Sequence, residues 1–415
     1  MKSEWKKVKL DDIVRFQQGK QVELEDQVTE QTDGFIRFVR IIDYTNKSEP
    51  PRYIKANTKW SSYVTEDDVV MIRYGSQTAG KVVIGKAGII ANNMFRVIPI
   101  IEDIHRKYLY YFLKSSKVYL YLRGGQGSST MPAITFGLMS SVDVLLPPLP
   151  TQKKIAHILS TLDDKIELNR KMNETLEAMA QALFKSWFVD FDPVHAKANA
   201  KSDVELEKAA AELGISKEVL ELFPSAFVES EMGMIPEGWE VKRFGDIVTP
   251  KKGKNITKKK VTEGDVPVVA GGLTPAYFHN QYNVEAPVIT VSASGANAGY
   301  VHLYNINIWA SDCSYINATN SNYIYTHYTY LKFKQNKITW MQQGAAQPHI
   351  YPSHLMRLDF IDCGSKLWSY FEDMISPMFN RLASNEREVQ TLQKTRDTLL
   401  PKLLSGELDV SEVEI

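Results

Sequence analysis

The chain has 415 residues, of which 44% are hydrophobic and 24% charged, a composition typical of a globular protein large enough for two or three domains. Its two cysteines, Cys313 and Cys363, are too few for a disulfide framework or a thiolate metal site, and they fit a reducing compartment. Positive and negative charges balance to a net charge of zero, so the total favours no class of partner.

Targeting and membrane signals are not found in the sequence. The N-terminal residues MKSEWKKVKLDD lack the apolar core of a signal peptide. The sequence also has no apolar run as long as a membrane span. We therefore expect a cytoplasmic protein without membrane contact.

The first predicted element recurs later in the chain. The stretch WKKVKLDDIVRFQQGK from Trp5 returns as WEVKRFGDIVTPKKGK from Trp239. Likewise VVMIRYGSQTAGKV (69–82) resembles VITVSASGANAGYV (288–301), and GSSTMPAIT resembles GAAQPHIYP. The second copy is shorter, as expected if surface loops differ in length. The sequence thus predicts one kind of domain that occurs twice.

A long helix is predicted after each copy. From residue 155 to 187, seam residues recur in alternating steps of four and three, and the pattern returns 216 residues later. A seam of this period predicts a coiled coil, with a first helix about 48 Å long. A pseudo-two-fold axis would make the two helices antiparallel; alternatively, each helix packs only on its own domain. The predicted seam residues are Ile155, Leu159, Leu162, Ile166, Asn169, Leu176, Leu183, Ile375, Met378, Leu382, Asn385, Val389, Leu392 and Leu399.

Several residues carry expectations about these helices. Thr151 is a candidate N-cap of the first helix, and Gly406 is a candidate C-cap of the second. Pro377 is expected to kink the second helix or to break it. Asn169 and Asn385, at matching seam positions, are expected to be buried and to fix the register.

The connector between the first helix and the second copy has no counterpart elsewhere in the chain. Its pattern predicts one short amphipathic helix and little other structure, packed in part through Phe223 and Phe227.

Catalytic signatures are missing from the sequence. It contains no P-loop and no Gly-rich dinucleotide fingerprint, and no nucleophile-and-base pattern stands out. The histidines are scattered, and His349 and His354 lack further ligands at metal-binding spacing. We therefore predict neither catalytic nor metal-binding residues. Two copies of one domain with unlike polar loops suggest two recognition domains instead.

The small, polar loops of both copies are candidates for DNA contact. Arg, Gln, Asn, Ser and Lys side chains suit base edges and phosphates. KKGKNITKKK (251–260) holds six lysines, which suits phosphate neutralisation. Taken singly, any such polar loop residue is more often ordinary solvent-exposed surface. The candidate DNA-binding residues are Lys20, Arg73, Ser76, Gln77, Lys81, Arg123, Gln126, Ser128, Ser129, Lys251, Lys252, Lys254, Lys258, Lys259, Ser294, Asn297, Gln342, Gln343 and Gln347.

Three long stretches resemble a known family. They are PLPTQKKIAHILSTLDDKIELNRKMNETLEAMAQALFKSWFVDFDPVHAKA, LFPSAFVESEMGMIPEGWEVKRFGDI and RDTLLPKLLSGEL. All three look like regions of the specificity (S) subunits of type I restriction–modification enzymes. The resemblance spans nearly the whole chain and includes its two-copy order.

The resemblance implies a mixed α/β (α+β) fold with two target recognition domains joined by two antiparallel helices in a coiled coil. Each domain would read one half of a bipartite, asymmetric DNA target, and the coiled coil would set the unread spacer. The expected organisation is recognition domain 1 (1–150), first spacer helix (151–190), connector (191–235), recognition domain 2 (236–364), second spacer helix (365–408) and acidic tail (409–415).

The resemblance also implies partners and their cofactors. The chain itself would be non-catalytic and would hold no cofactor. It would bind double-stranded DNA and recruit two modification (M) subunits, which use S-adenosylmethionine to methylate adenine N6. Two restriction (R) subunits, which use ATP and Mg, would complete the complex.

Two other functions are compatible with the residues alone. A symmetric protein-binding adaptor without DNA recognition is the first, because the net charge is zero and the tail is acidic. An enzyme with paired active sites is the second, and the missing motifs disfavour it.

Overall fold

A computed structural model of the chain describes residues 5–46, 49–56, 62–124, 133–341 and 349–414. The chain forms two compact units. Unit 1 comprises Met1–Leu168 with Glu388–Ile415, and unit 2 comprises Asn169–Arg387. Within the described ranges, every helix is too short or too polar to cross a lipid bilayer.

Unit 1 contains two four-stranded sheets and a separate strand pair. Its strands are β1 (Lys6–Lys9), β2 (Val14–Gln18), β3 (Phe35–Val39), β4 (Arg52–Lys55), β5 (Tyr63–Val64), β6 (Val69–Ile72), β7 (Val82–Ile84), β8 (Gly88–Ile90), β9 (Met94–Pro99) and β10 (Asp143–Leu146). Its short helices are α1 (Ile42–Thr45), α2 (Arg106–Lys114), α3 (Ser116–Gly124) and α4 (Phe136–Ser140).

The sheets of unit 1 have different strand directions. The first has the order β2-β9-β6-β7 and is antiparallel throughout. Its interior strand β6 is a run of four buried apolar residues, as expected for a strand covered on both faces. The second has the order β4-β3-β8-β5, with β3 and β8 parallel. β1 pairs with β10 near the start of the first long helix.

That helix, α5 (Leu149–Phe188), begins earlier than the sequence suggested. Thr151 therefore lies inside the first turn and is not the N-cap. Pro150 is tolerated there because the first N–H groups of a helix have no intrahelical acceptor. The run PPLP thus includes the start of the helix.

The connector is more structured than expected, and the prediction of a single helix was wrong. It contains α6 (Asp192–Asn199), α7 (Asp203–Glu212) and α8 (Lys217–Glu221), followed by a hairpin of β11 (Phe227–Ser230) and β12 (Gly233–Pro236). The hydroxyls of Ser202 and Ser216 cap α7 and α8 by accepting backbone hydrogen bonds. Phe223 is buried, and its ring lies 5.1 Å from that of Trp187.

The globular part of unit 2 is built from strands and short helices in a similar order. Its strands are β13 (Glu240–Arg243), β14 (Lys251–Lys252), β15 (Val266–Val269), β16 (Tyr277–His279), β17 (Val288–Ser292), β18 (Val301–Tyr304), β19 (Trp309–Ala310), β20 (Cys313–Asn317) and β21 (Asp359–Asp362). Its helices are α9 (Phe244–Ile247), α10 (Ile324–Phe333), α11 (Gln335–Trp340) and α12 (Pro352–Met356). The long helix α13 (Ser365–Leu404) follows, and its residues from Glu388 onward belong to unit 1.

The strand orders confirm the internal repeat. The sheet β14-β20-β17-β18 repeats β2-β9-β6-β7, and β16-β15-β19 repeats β4-β3-β8 with its parallel pair. The pair β13/β21 repeats β1/β10. Equivalent hydrogen bonds occur in both copies: the N–H of Gly80 donates to the Ile72 carbonyl and the N–H of Gly299 donates to the Ser292 carbonyl, both at 2.9 Å. The two copies therefore share one topology.

The long helices pack against each other antiparallel within each unit. In unit 1, Lys165 of α5 lies 3.5 Å from Glu388 of α13, and Asp163 lies 2.6 Å from Arg396. In unit 2, Nδ2 of Asn385 donates to Oδ1 of Asn173 at 2.8 Å. All the seam positions predicted from sequence are buried or partly buried, and Asn385 lies opposite Asn173.

The second long helix runs through its proline and ends at a glycine. α13 is continuous across the exposed Pro377, so the expected break does not occur. Gly406 follows the helix with φ of 65°, and its N–H donates to Leu403. The N–H of Glu407 donates to Lys402 at 2.9 Å, which completes a Schellman motif and confirms Gly406 as the C-cap glycine.

A polar side chain from each long helix fixes the start of a neighbouring helix. The buried Gln152 accepts the His105 N–H at 2.9 Å and holds the start of α2 against α5. Glu372 of α13 accepts the N–H groups of Tyr325 and Thr326 at the start of α10. Burial raises the pKa of Glu372, because these hydrogen bonds replace its water only in part.

Candidate nucleic-acid interface

Main-chain hydrogen bonds bring three polar segments of unit 1 to one edge. The N–H of Gly19 donates to the Met94 carbonyl at 3.0 Å, and the N–H of Arg73 donates to Asn93 at 2.9 Å. The loop after β6 thereby lies beside the segment that follows β2. We call residues 17–20, 73–81 and 91–93 the polar edge of unit 1.

Arg73 is held in place at this edge. Its Nη1 donates to Oε1 of Gln18 at 3.0 Å, and its guanidinium lies 5.0 Å from the Tyr74 ring centroid. Gln18 in turn donates through Nε2 to the Asn92 carbonyl. The guanidinium is thus oriented in advance, with the Gln18 side-chain amide beside it, a combination suited to base edges.

The loop of residues 73–81 is shaped by glycines and fastened from α3. Gly75 and Gly80 have φ values of 116° and 83°, a region that side chains with a Cβ rarely adopt. Arg123 of α3 donates through Nη2 to the Ser76 carbonyl at 3.1 Å. Ser76 and Gln77 remain exposed at the tip of the loop.

Unit 2 has a corresponding edge. The N–H of Gly253 donates to Cys313 at 2.8 Å, and the N–H of Ala293 donates to Asp312 at 3.2 Å. The Ser294 hydroxyl donates to the Asp312 carboxylate. We call residues 252–254, 293–299 and 311–312 the polar edge of unit 2.

The two edges share a backbone arrangement and differ in side chains. At the edge of unit 1 the Arg73 guanidinium is bonded to the Gln18 amide, whereas at the edge of unit 2 the Ser294 hydroxyl is bonded to the Asp312 carboxylate. In both units, the Gly-Lys pair of the sequence repeat lies against the neighbouring strand. The N–H of Lys20 donates to the Ile90 carbonyl, and the N–H of Lys254 donates to the Ala310 carbonyl. A common scaffold therefore carries two different sets of hydrogen-bonding groups.

Lysines lie beside the edge of unit 2. Lys251 and Lys252 form β14, and Nζ of Lys251 donates to the Thr319 hydroxyl at 3.2 Å. The lysines of a 3₁₀ turn, Lys258–Lys260, are exposed. Residues after this turn are tied to β16, because the Asn280 N–H donates to Thr262 at 3.1 Å. Several positive charges therefore project into solvent from one unit.

The candidates from sequence divide into three groups. Arg73, Ser76 and Arg123 are brought together in unit 1, where Ser76, Gln77 and Lys81 are exposed and Lys20 is partly buried. In unit 2, Ser294 and Asn297 are partly buried in the loop, and the lysines are exposed. The remaining candidates lie outside the described residues: Gln126, Ser128, Ser129, Gln342, Gln343 and Gln347.

Sequence reasoning missed three residues of the edges: Gln18, Asn92 and Asp312. Gln18 could have been found, since it immediately precedes the Gly-Lys pair shared by both copies. Asn92 and Asp312 carried no such signal, because strand pairing alone brings them to the loops.

The Cys313 thiol and the imidazoles of His302 and His327 are in uncharged forms at neutral pH. Burial raises the pKa of Cys313 to about 12 and lowers the pKa of His302 and His327 to about 4. In the part of the chain that the structure describes, no His, Cys, Asp and Glu side chains cluster as a metal site would require. These groups serve packing and internal hydrogen bonds, as between His327 and Ser321.

Gly19→Ala tests how tightly the edge of unit 1 is packed. A Cβ at Gly19 would lie well under 3.0 Å from the Ala91 carbonyl, and a backbone atom cannot move aside cheaply. We expect a loss of about 1–3 kcal/mol in the free energy of unfolding, measured by denaturant titration. Gly137→Ala in α4 is the control, since nothing lies within 4 Å of the added methyl. Equal stability of both variants would contradict the prediction.

A family model and curated relatives match the chain. The model, described as the type I restriction modification DNA specificity domain, matches residues 2–178 and 236–360. The HindI type I restriction enzyme specificity subunit of Haemophilus influenzae is 32% identical, covering 77% of this chain and 81% of the relative. The MjaIX specificity subunit of Methanocaldococcus jannaschii is 28% identical over 80% of this chain and 76% of its own length.

A solved structure shares the fold. The S subunit of a type I restriction–modification system from M. genitalium superposes with a TM-score of 0.57, covering 96% of both chains. At 17% sequence identity, this similarity concerns the fold.

Proposed function

The chain belongs to the type I restriction–modification DNA specificity family, and from this we propose that each unit reads one half of a bipartite DNA target. One observation carries the proposal: the two polar edges share main-chain hydrogen bonds but present different side chains. Identical edges would suit a palindrome, whereas unlike edges suit two unlike half-sites. The adaptor alternative finds no support among these relatives.

The chemistry of each edge suggests what it reads. Arg73 beside Gln18 offers the kinds of donor and acceptor that pair with purine edges in the major groove. In unit 2 the lysines supply phosphate contacts, and the loop of 293–299 approaches the bases. The candidates outside the described residues belong to the same proposal because of their residue types alone.

The proposed organisation follows the domain ranges expected from sequence, with recognition domains at 1–150 and 236–364 and a spacer formed by the long helices. The chain would supply recognition and leave chemistry to its partners. Two modification subunits would bring S-adenosylmethionine for adenine methylation, and two restriction subunits would bring ATP and Mg. These numbers and cofactors are part of the proposal.

Mapping methylated adenines tests this function directly. The chain and the modification subunit encoded with it would be expressed in a host without such a system, and N6-methyladenine sequenced genome-wide. We expect a motif of two unlike blocks around a fixed gap. The modification subunit alone is the control. A single continuous motif, or methylation that does not depend on this chain, would refute the proposal.

Removing the lysine turn should weaken DNA binding at every sequence. Changing Lys258–Lys260 to alanine takes away up to three positive charges that neutralise phosphates. The slope of log affinity against log salt should therefore become shallower by about 1 for each phosphate that is no longer neutralised. The matched control changes Lys201 and Lys208, exposed lysines of the connector. Titrations at several salt concentrations decide the matter; an unchanged slope places the turn away from DNA.

A further inference from the structure

Trp340 is far more exposed than expected for a tryptophan. Its side chain is 88% exposed at the end of α11, whereas Trp187 and Trp368 are 1% and 4% exposed. Burying an aromatic ring of this size is among the larger favourable terms in folding or binding. A fully presented indole is therefore a candidate contact for a partner.

The backbone beneath this side chain is fixed. Ile338 of α11 is fully buried, and Gln335 accepts the Val301 N–H at 3.0 Å. Lys337 donates to Asp359 at 2.8 Å. The helix is thus held by both of its faces while the last ring projects into solvent, an arrangement that limits the entropy lost on contact.

Trp340 lies beside the polar edge of unit 2. The preceding residue, Thr339, is close enough to Gly299 that a Cβ there would lie 3.0 Å from the Thr339 Cα. Gly299 closes the loop that carries Ser294 and Asn297. On the other side of this loop, the Ile350 N–H donates to Ala293 at 2.8 Å.

We propose that Trp340 is a positioning residue that stacks on, or inserts between, bases flanking the half-site read by unit 2. This inference rests on the proposed function. Indole rings stack on any base, and apolar side chains act as wedges that unstack a base step. Lysines on the same unit would hold the phosphates of that duplex. Because Trp340 lies beside the polar edge of unit 2, which is proposed to contact DNA, we infer that its partner is a base and not a protein.

Among the described residues of unit 1, no tryptophan is exposed as Trp340 is. The helix that corresponds to α11 is α3, where Tyr121 is tied by its hydroxyl to Ser141 at 2.9 Å and Arg123 is bonded to the Ser76 carbonyl. The proposed contact concerns the half-site of unit 2, and its removal should affect that side.

The test uses the full chain in complex with its modification subunit. DNA targets carry 2-aminopurine beside one half-site or the other, and affinity and probe fluorescence are measured for Trp340→Ala, Trp340→Phe and the control Val204→Ala. Val204 is also largely exposed, on α7 of the same unit. We expect Trp340→Ala to weaken binding by roughly 10–100-fold and to alter the probe signal beside the half-site of unit 2 only. Trp340→Phe should retain most of both.

Other outcomes overturn the inference. Unchanged affinity and fluorescence for Trp340→Ala, with the wild type still selective for its target, would refute it while leaving the proposed function intact. Loss of the modification subunit from purified Trp340→Ala would identify a protein contact instead. A wild-type complex without sequence preference would overturn the proposed function and this inference with it. Thermal unfolding checks that each variant is folded.

Discussion

Replacing Asp163 with alanine is expected to lower the free energy of unfolding by about 2–4 kcal/mol, somewhat less than for a fully buried ion pair. Asp163 accepts a hydrogen bond from Nη1 of Arg396 at 2.6 Å and another from the Tyr111 hydroxyl at 3.0 Å. The three residues belong to α5, α13 and α2. One carboxylate therefore joins both long helices to the globular part of unit 1.

The expected loss of stability is large because removing the carboxylate deprives two hydrogen-bond donors of their acceptor. Without Asp163, the partly buried Arg396 and the buried Tyr111 lose their shared acceptor. Burial and the nearby carboxylate raise the pKa of Tyr111, so its hydroxyl stays protonated and still requires an acceptor. Nη1 of Arg396 and the Tyr111 hydroxyl are then left without this acceptor, which is costly because both groups gave up water on folding.

The destabilisation should also depend on pH. Burial opposes ionisation of Asp163, but the bonds from Arg396 and Tyr111 and the charge of Lys114 keep its pKa below the usual value. A carboxyl with a lowered folded pKa stabilises the fold above its unfolded pKa of about 4, and this is lost as the pH falls through the folded value. The difference between wild type and Asp163→Ala should therefore shrink in acid.

Asp397→Ala is the matched control, and chemical denaturation at pH 7 and in acid is the measurement. Asp397 also accepts from Arg396, at 2.8 Å, but its side chain is 64% exposed, so we expect less than about 1 kcal/mol. Equal losses for the two variants, or a deficit of Asp163→Ala that persists in acid, would show that Asp163 does not join these elements.

Lengthening both long helices by one heptad should lengthen the unread gap of the DNA target by about three base pairs. The construction duplicates residues 162–168 of α5 and 388–394 of α13, which face each other in unit 1 through Lys165 and Glu388. Seven residues add about 10 Å of helix, and a base pair rises about 3.4 Å. A whole heptad keeps the seam in phase, so the helices can still pack.

Sequencing of methylated adenines reads out both the half-sites and the gap. We expect unchanged half-sites and a longer gap, because the insertion leaves the residues of both polar edges unaltered. The control inserts the heptad into α5 alone, which displaces Asn173 from Asn385 and should abolish methylation. Altered half-sites with an unchanged gap would falsify the idea that the helices set the spacing.

The long helices were the most predictable part of the molecule. Their seam repeats over many turns, and such a pattern survives local exceptions such as the exposed Pro377. Helix ends were less predictable: Gly406 was recognisable because a left-handed C-cap favours glycine. The N-cap prediction at Thr151 was wrong because Pro150 is tolerated within the first turn of α5, so the helix begins before Thr151.

The polar edges could be predicted only in part. Loop residues such as Arg73 and Ser294 stood out by type and by the repeat. Gln18, Asn92 and Asp312 meet those loops only through strand pairing between segments far apart in sequence. The connector was underestimated because its helices are short. Two of them begin at single serine caps, Ser202 and Ser216, and a search for periodic hydrophobic residues does not detect such caps.

The main-chain hydrogen bonds of the two polar edges affect which of their side chains can be substituted. Gly19 binds Met94, and Gly253 binds Cys313, through backbone atoms alone. Side chains at the tips of the adjoining loops can therefore change without removing a bond that shapes the loop. Under random drift, a chain built in this way can explore new contact chemistry at nearly constant folding free energy, and its two halves can do so independently.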